Sequence, residues 1–172
     1  MLAWKSHATI CMTNPHSDPS SSDCFLTNLE RAYTIEGELL RELPVVAFKA
    51  GSYPLKVVLA QYLNTAEDNI NRLKEVFARV ECTPTMLISV VSPEVYSSLH
   101  RIISTQIVSF TTLRAVLIEL HSIRVQLYED FIKCIFNEPS LLGLLQENLQ
   151  AEKRMGTAIL ELETTLQMQT AA

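Results

Sequence analysis

Glycine is scarce, with 4 in 172 residues, so no Gly-rich loop can cradle a phosphate and nucleotide binding by that route is excluded. Basic charge is scarce too. The 14 Lys and Arg form no run and are outnumbered by 19 Asp and Glu, for a formal charge of -5, which removes the electrostatic footprint that nucleic-acid binding requires. Cys11, Cys24, Cys82 and Cys134 lie far apart, with no CxxC pair and no Cys/His grouping at zinc spacing, and read as free thiols. Lys5 and His7 interrupt the start of the chain before it can form the apolar region of a signal peptide, and no apolar run reaches bilayer length. The expectation is a cytoplasmic protein without a membrane partner.

What is present is helical periodicity in one domain of 23–172, preceded by a tail over 1–22 that ends in the turn-forming cluster Asn14-Pro15-His16-Ser17-Asp18-Pro19-Ser20-Ser21-Ser22. Asp23 is placed to cap a first helix, in which Leu29, Ala32, Tyr33, Glu36, Leu39, Leu40 and Leu43 recur at three- and four-residue spacing as far as about Ala50. Pro44 should kink it, and Gly51 should stop it. Ser52 and Pro54 open a second helix, whose stripe of Leu55, Val58, Leu59, Tyr62, Ala66, Asn69, Leu73, Val76 and Phe77 runs to about Val80.

A connector from Cys82 to Ser92 leads to Ser92-Pro93-Glu94, the start of a helical segment to about Ser104. A third helix is expected over about 106–136, and Asn137-Glu138-Pro139 separates it from a fourth over about 140–169. Two short turns pair helix one with two and three with four. The reading is an all-α antiparallel four-helix bundle with a long crossover between helices two and three.

Glu36, Glu119 and Glu152 each fall on an apolar stripe near mid-helix, where an unpaired charge would cost several kcal/mol. Glu119 lies about 17 residues before the turn and Glu152 about 13 after it, so at about 1.5 Å per residue the two could meet inside the bundle. Carboxylates converging in a bundle core are the arrangement of di-iron and di-manganese sites, but those also use a His three residues beyond a Glu on two helices. Here Ser122 and Met155 occupy those positions, and helix two offers Tyr62. A polar cluster satisfied by Tyr62, Ser122 and Arg or Lys side chains accounts for the three carboxylates without metal. A weak site of three Glu and Tyr would instead favour a hard ion, Fe, Mn or Mg.

The segment Tyr33-Thr34-Ile35-Glu36-Gly37-Glu38-Leu39-Leu40-Arg41-Glu42-Leu43-Pro44 resembles the first helix of the ferritin-like proteins typified by YciE and YciF. Tyr53-Pro54-Leu55-Lys56 through Asn71-Arg72-Leu73-Lys74-Glu75-Val76-Phe77 is similar to the second helix of that family, and Leu144 through Lys153 to its fourth. The resemblance spans roughly 24–165. It implies a ferritin-like fold, a tendency to dimerise and an association with bacterial stress responses. It also implies a degenerate metal site, since Tyr62 stands where the family usually carries a His, Asn64 and Thr65 stand at its acidic positions, and Glu119-Leu120-His121-Ser122 replaces Glu-His-Tyr-Glu.

Two functional classes follow: a non-catalytic module acting through self-association or partner binding, which the missing His favours, and a metal-dependent oxidase or peroxidase of ferritin-like type. A homodimer is expected from 99–120, where Leu99, Ile102, Ile103, Ile107, Val108, Phe110 and Leu113 cover more than one helical face and no charge falls between Ile102 and Leu113.

Overall fold

The computed structural model describes residues 19–84, 100, 102, 104, 110–135 and 138–170, with side chains placed between Cys24 and Leu162 of those. Among the described residues there are four long helices: α1 (Pro19–Lys49), α2 (Tyr53–Arg79), α3 (Phe110–Lys133) and α4 (Pro139–Thr170). The connector from 85 and the helical start at Ser92-Pro93-Glu94 lie outside the described residues, as do the tail up to 18 and the proposed start of helix three.

Each helix carries an inward seam at alternating three- and four-residue steps, the spacing of knobs-into-holes packing. In α1 the seam is Leu29, Ala32, Glu36, Leu39, Leu43, Val46 and Ala50, and in α2 Leu55, Leu59, Tyr62, Ala66, Asn69, Leu73 and Val76. In α3 it is Leu113, Leu117, Leu120, Arg124, Leu127 and Phe131, and in α4 Leu141, Leu145, Asn148, Glu152, Met155, Ile159 and Leu162. All of these are buried. The seams are apolar except at one level, where every helix contributes a polar or charged residue.

Neighbours around the bundle are α1 with α2 and α3, and α4 with α2 and α3. Cross-helix contacts fix the directions. Glu36 meets Asn69 while Tyr33 meets Phe77, so α1 and α2 are antiparallel. Glu36 meets Arg124 while Phe25 meets Phe131, so α1 and α3 are antiparallel too. Asn69 meets Glu152 while Arg72 meets Glu147, and α4 accordingly runs against α2. Helices α2 and α3 are therefore diagonal and parallel, and the chain between them must return the length of the bundle. This is the long crossover that the two short turns imply.

Local signals mostly agree with the backbone. Ser52 is extended at φ -110 and ψ 143, and Pro54 occupies the first turn of α2. Helix α1 begins at Pro19, inside the expected tail, so Asp23 lies within the helix rather than capping it. Pro19 explains the earlier start, because the first helical turn has no use for the N–H that proline lacks. The helix passes through Pro44 without ending. Gly51 does not take a positive φ; the left-handed turn falls instead at Glu81, with φ 54. There the N–H of Cys82 bonds the Phe77 carbonyl at 3.0 Å and that of Glu81 bonds Ala78 at 3.3 Å, which closes α2 by a Schellman motif.

Of the segment offered as a dimer interface, 99, 101, 103 and 105–109 lie outside the described residues. In the described part, Leu113, Val116, Leu117 and Leu120 are buried in the chain's own core, while Thr111, Thr112 and Ala115 are exposed. The reading of four free thiols also needs correction. Antiparallel packing brings Cys24 of α1 beside Cys134, just past α3, and the two form a disulfide across 110 residues of sequence. Spacing alone cannot reveal such a pairing. Among the described residues no helix is long and apolar enough to cross a membrane.

The strained end of α2 makes a direct prediction. Glu81 is exposed and adopts a backbone conformation that costs an L-residue about 1 kcal/mol or more and costs glycine nothing. Glu81→Gly should raise the unfolding free energy by about 1 kcal/mol in urea titration, whereas Glu81→Val should lower it.

Candidate functional site

The polar level of the bundle is a closed ionic cluster built by all four helices. Glu36 of α1 is its centre. Its Oε1 accepts hydrogen bonds from Arg124 Nε at 3.2 Å, Tyr128 Oη at 2.9 Å and Asn69 Nδ2 at 3.2 Å, and its Oε2 accepts one from Arg124 Nη2 at 2.6 Å. The same Nη2 lies 2.6 Å from Oε1 of Glu152, which also accepts from Asn69 Nδ2 at 2.7 Å. One guanidinium thus bridges carboxylates from two diagonal helices, and one amide does the same from the other side. Arg124, Glu36 and Glu152 are each at most 1% exposed.

A second arginine orients the amides. Arg72 donates from Nη1 to the side-chain oxygens of Asn69 at 3.4 Å and Asn148 at 3.1 Å, while its Nε pairs with Glu147 at 3.0 Å at the surface. With their oxygens held by Arg72, both amides present their NH2 groups inward. That of Asn148 reaches Tyr128 Oη at 3.2 Å and the Asn69 carbonyl at 3.3 Å. Tyr62 completes the site as a wall: the Arg124 guanidinium lies 4.8 Å from its ring centroid, within cation–π range.

Of the residues singled out in the sequence, Glu36, Glu152 and Tyr62 come together. Glu119 does not join them. It is exposed on α3, because the inward seam runs through Leu117, Leu120 and Arg124, and the stripe of Ala115, Val116 and Ile123 on which Glu119 was placed is only partly inward. Ser122 likewise faces out and bonds the Ile118 carbonyl at 3.0 Å. Sequence reasoning missed Arg124, Tyr128, Asn148 and Arg72. The available signal was an arginine at an apolar heptad position of α3, a placement that demands a buried anion opposite.

The electrostatics follow from one cation shared by two anions. Burial disfavours the charge on Arg124, but Glu152 and Glu36 outweigh it and hold its pKa well above the ordinary arginine value. Burial, with Glu36 beside it, drives Tyr128 far above the ordinary phenol range; burial lifts Tyr62 to about 12 against the lowering pull of Arg124. Glu152 is pushed up to about 7 by burial and by the Glu36 charge, although Arg124 pulls the other way. Its Oε2, like Tyr62 Oη and Arg124 Nη1, has no partner at hydrogen-bond geometry among the described residues. The less supported carboxyl is therefore the one that takes a proton.

Such a donor set does not fit a metal centre. A divalent ion between Glu36 and Glu152 would stand in the space of the Arg124 guanidinium, with like charges meeting in a buried site. Among the described residues no three His, Cys, Asp or Glu side chains group at metal-binding distance. Comparison with protein-family models, with curated proteins and with solved structures finds no match.

Two outcomes test this account. Truncating Arg124 to Met leaves two buried carboxylates without their cation and should cost about 3–5 kcal/mol in urea unfolding at pH 8. Glu152 titrates higher in the fold than its ordinary value of 4.5, so the stabilisation its proton provides is complete below about pH 4.5 and is lost as pH rises through about 7. Glu152→Gln should therefore match the parent protein near pH 4 and exceed its stability by up to about 3 kcal/mol at pH 8.5. Parallel melting curves across that range check the sign.

Proposed function

We propose that this chain is a non-catalytic, self-associating helical module of the ferritin-like type represented by YciE and YciF, with a stress-associated role, acting in the cytoplasm as a homodimer and carrying no resident metal. The observation that carries the reading is Arg124. A permanent guanidinium lies 2.6 Å from one oxygen of each buried carboxylate, so positive charge of the kind a metal would bring to such a core is supplied by the chain itself. Both oxygens of Glu36, Oε1 of Glu152, the Tyr128 hydroxyl and the Asn69 and Asn148 amides are engaged in contacts between helices. The likeness to YciE and YciF is supported by the residue pattern of helices one, two and four and by the helix order.

Self-association is supported by apolar side chains that the bundle leaves outside. Phe48 is 87% exposed and Tyr53 79%, and they flank the turn between α1 and α2 with Val45 and Val57 nearby. Exposed apolar side chains grouped at one turn form the kind of surface through which chains meet.

Two measurements decide the reading. Metal analysis of protein purified without a His tag, and after incubation with Fe(II) or Mn(II), should find less than stoichiometric metal; two ions per chain would overturn the structural role of the cluster. Light scattering coupled to gel filtration at micromolar concentration should give twice 19.4 kDa, whereas a mass of 19.4 kDa rejects the dimer. Phe48→Glu is expected to yield monomer if the α1–α2 turn is the contact. A dimer that persists places the interface elsewhere, with 99–120 the next segment to alter.

A further inference from the structure

The seam between α1 and α3 is the most sparsely packed of the four that close the bundle. A groove of about 500 Å³ runs along it, lined by Asn28, Arg31 and Ile35 of α1 and Ile123, Gln126 and Asp130 of α3. At the end of this groove one disulfide and one ring contact join the two helices. Cys24 is joined to Cys134, and the rings of Phe25 and Phe131 lie 5.2 Å apart at 58°. The Asn28 amide, one turn further along α1, donates to both sulfurs, at 3.5 Å to Cys24 and 3.4 Å to Cys134.

We propose that Cys24 and Cys134 form a reversible dithiol–disulfide couple that latches the α1–α3 seam. The Cα atoms lie 6.3 Å apart, inside the range of native disulfides, so the helix ends already hold the two residues at bonding distance when the bond is open. Cys24 is exposed and Cys134 half-buried, which gives a small thiol such as glutathione access to one sulfur of the pair. Its thiolate attacks Cys24 Sγ, forms a mixed disulfide there and releases Cys134 as a thiolate, which takes up a proton. A second thiolate attacks the mixed disulfide at the glutathione sulfur, releasing glutathione disulfide and the Cys24 thiol. Two electrons pass from two glutathiones to the protein disulfide, and oxidation by glutathione disulfide reverses each step. In a cytoplasmic setting, where persistent disulfides are rare, a pair so placed reports the state of the thiol pool. Opening it removes the covalent tie at the end of an already loose seam, while the Arg124 cluster holds the middle. This inference does not depend on the dimer.

The test equilibrates the full chain in buffers of varied glutathione to glutathione disulfide ratio and traps free thiols by alkylation. Peptide mass spectrometry then reads Cys24 and Cys134, and amide hydrogen exchange is followed in both states. The expected result is one reversible transition linking Cys24 to Cys134, with exchange over 24–31 and 126–134 rising about tenfold or more on reduction while the buried face of α2 stays unchanged. Cys24→Ser should show the fast exchange at every glutathione ratio, which provides the same readout if the reduced protein aggregates. The proposal is overturned if the pair stays reduced in excess glutathione disulfide, if Cys24 pairs with a different cysteine, or if exchange in the two segments is the same in both states and in Cys24→Ser.

Discussion

The bundle is organised around a guanidinium that has to serve two carboxylates. Two buried anions with one cation leave the centre short of positive charge, and everything near Arg124 offsets that shortage: two asparagine amides, a tyrosine hydroxyl, the face of a second tyrosine and a proton that Glu152 readily binds. An apolar core of similar volume would tolerate a sliding helix more easily than this one does. A slip by a single turn, about 5.4 Å, would strand Glu36 or Glu152 among leucines, so the cluster fixes the axial register of all four helices at once. Arg72 extends that control to the surface by orienting the two amides from outside.

Much of this was legible in the sequence because helices with one buried stripe announce themselves by period. The bounds of α2 and the turn before α4 followed from proline and the polar residues beside it, and Glu36 and Glu152 stood out because charge interrupts an otherwise apolar stripe. Helix three was harder to read. Its apolar residues are dense enough to support two phases, one through Ala115, Glu119 and Ile123 and another through Leu117, Leu120 and Arg124, and only packing against α1 and α4 selects the second. The carboxylate of Glu119 belongs to the first phase and is exposed, whereas Arg124, an arginine in a leucine heptad, is the stronger anomaly and marks the second. The Cys24–Cys134 pair was beyond reach for a different reason, since it depends on the direction in which α1 and α3 pack and on no local pattern.

Stability is distributed unevenly over the four seams. The α1–α2, α2–α4 and α3–α4 contacts are broad, whereas α1 meets α3 chiefly through the cluster and the disulfide end. Local opening follows sparse packing, so the groove beside Asn28 and Asp130 marks where the bundle yields first. The left-handed Glu81 is a separate concession, accepted at the close of α2 where the chain leaves for its crossover.

The parallel diagonal arrangement has a mechanical corollary. Because α1 and α4 both run antiparallel to α2 and α3, they point the same way, and Pro19 and Thr170 lie at opposite poles of the molecule. Tension applied between those two points would load the helices lengthwise, in shear, instead of peeling one away from an end. The load would cross the bundle through the bridge from Glu36 to Arg124 to Glu152, where sliding exposes charge to an apolar wall, and through the crosslink from α1 to the end of α3. Under pull the fold would resist as a brittle rod does, with little extension before its ionic centre gives way.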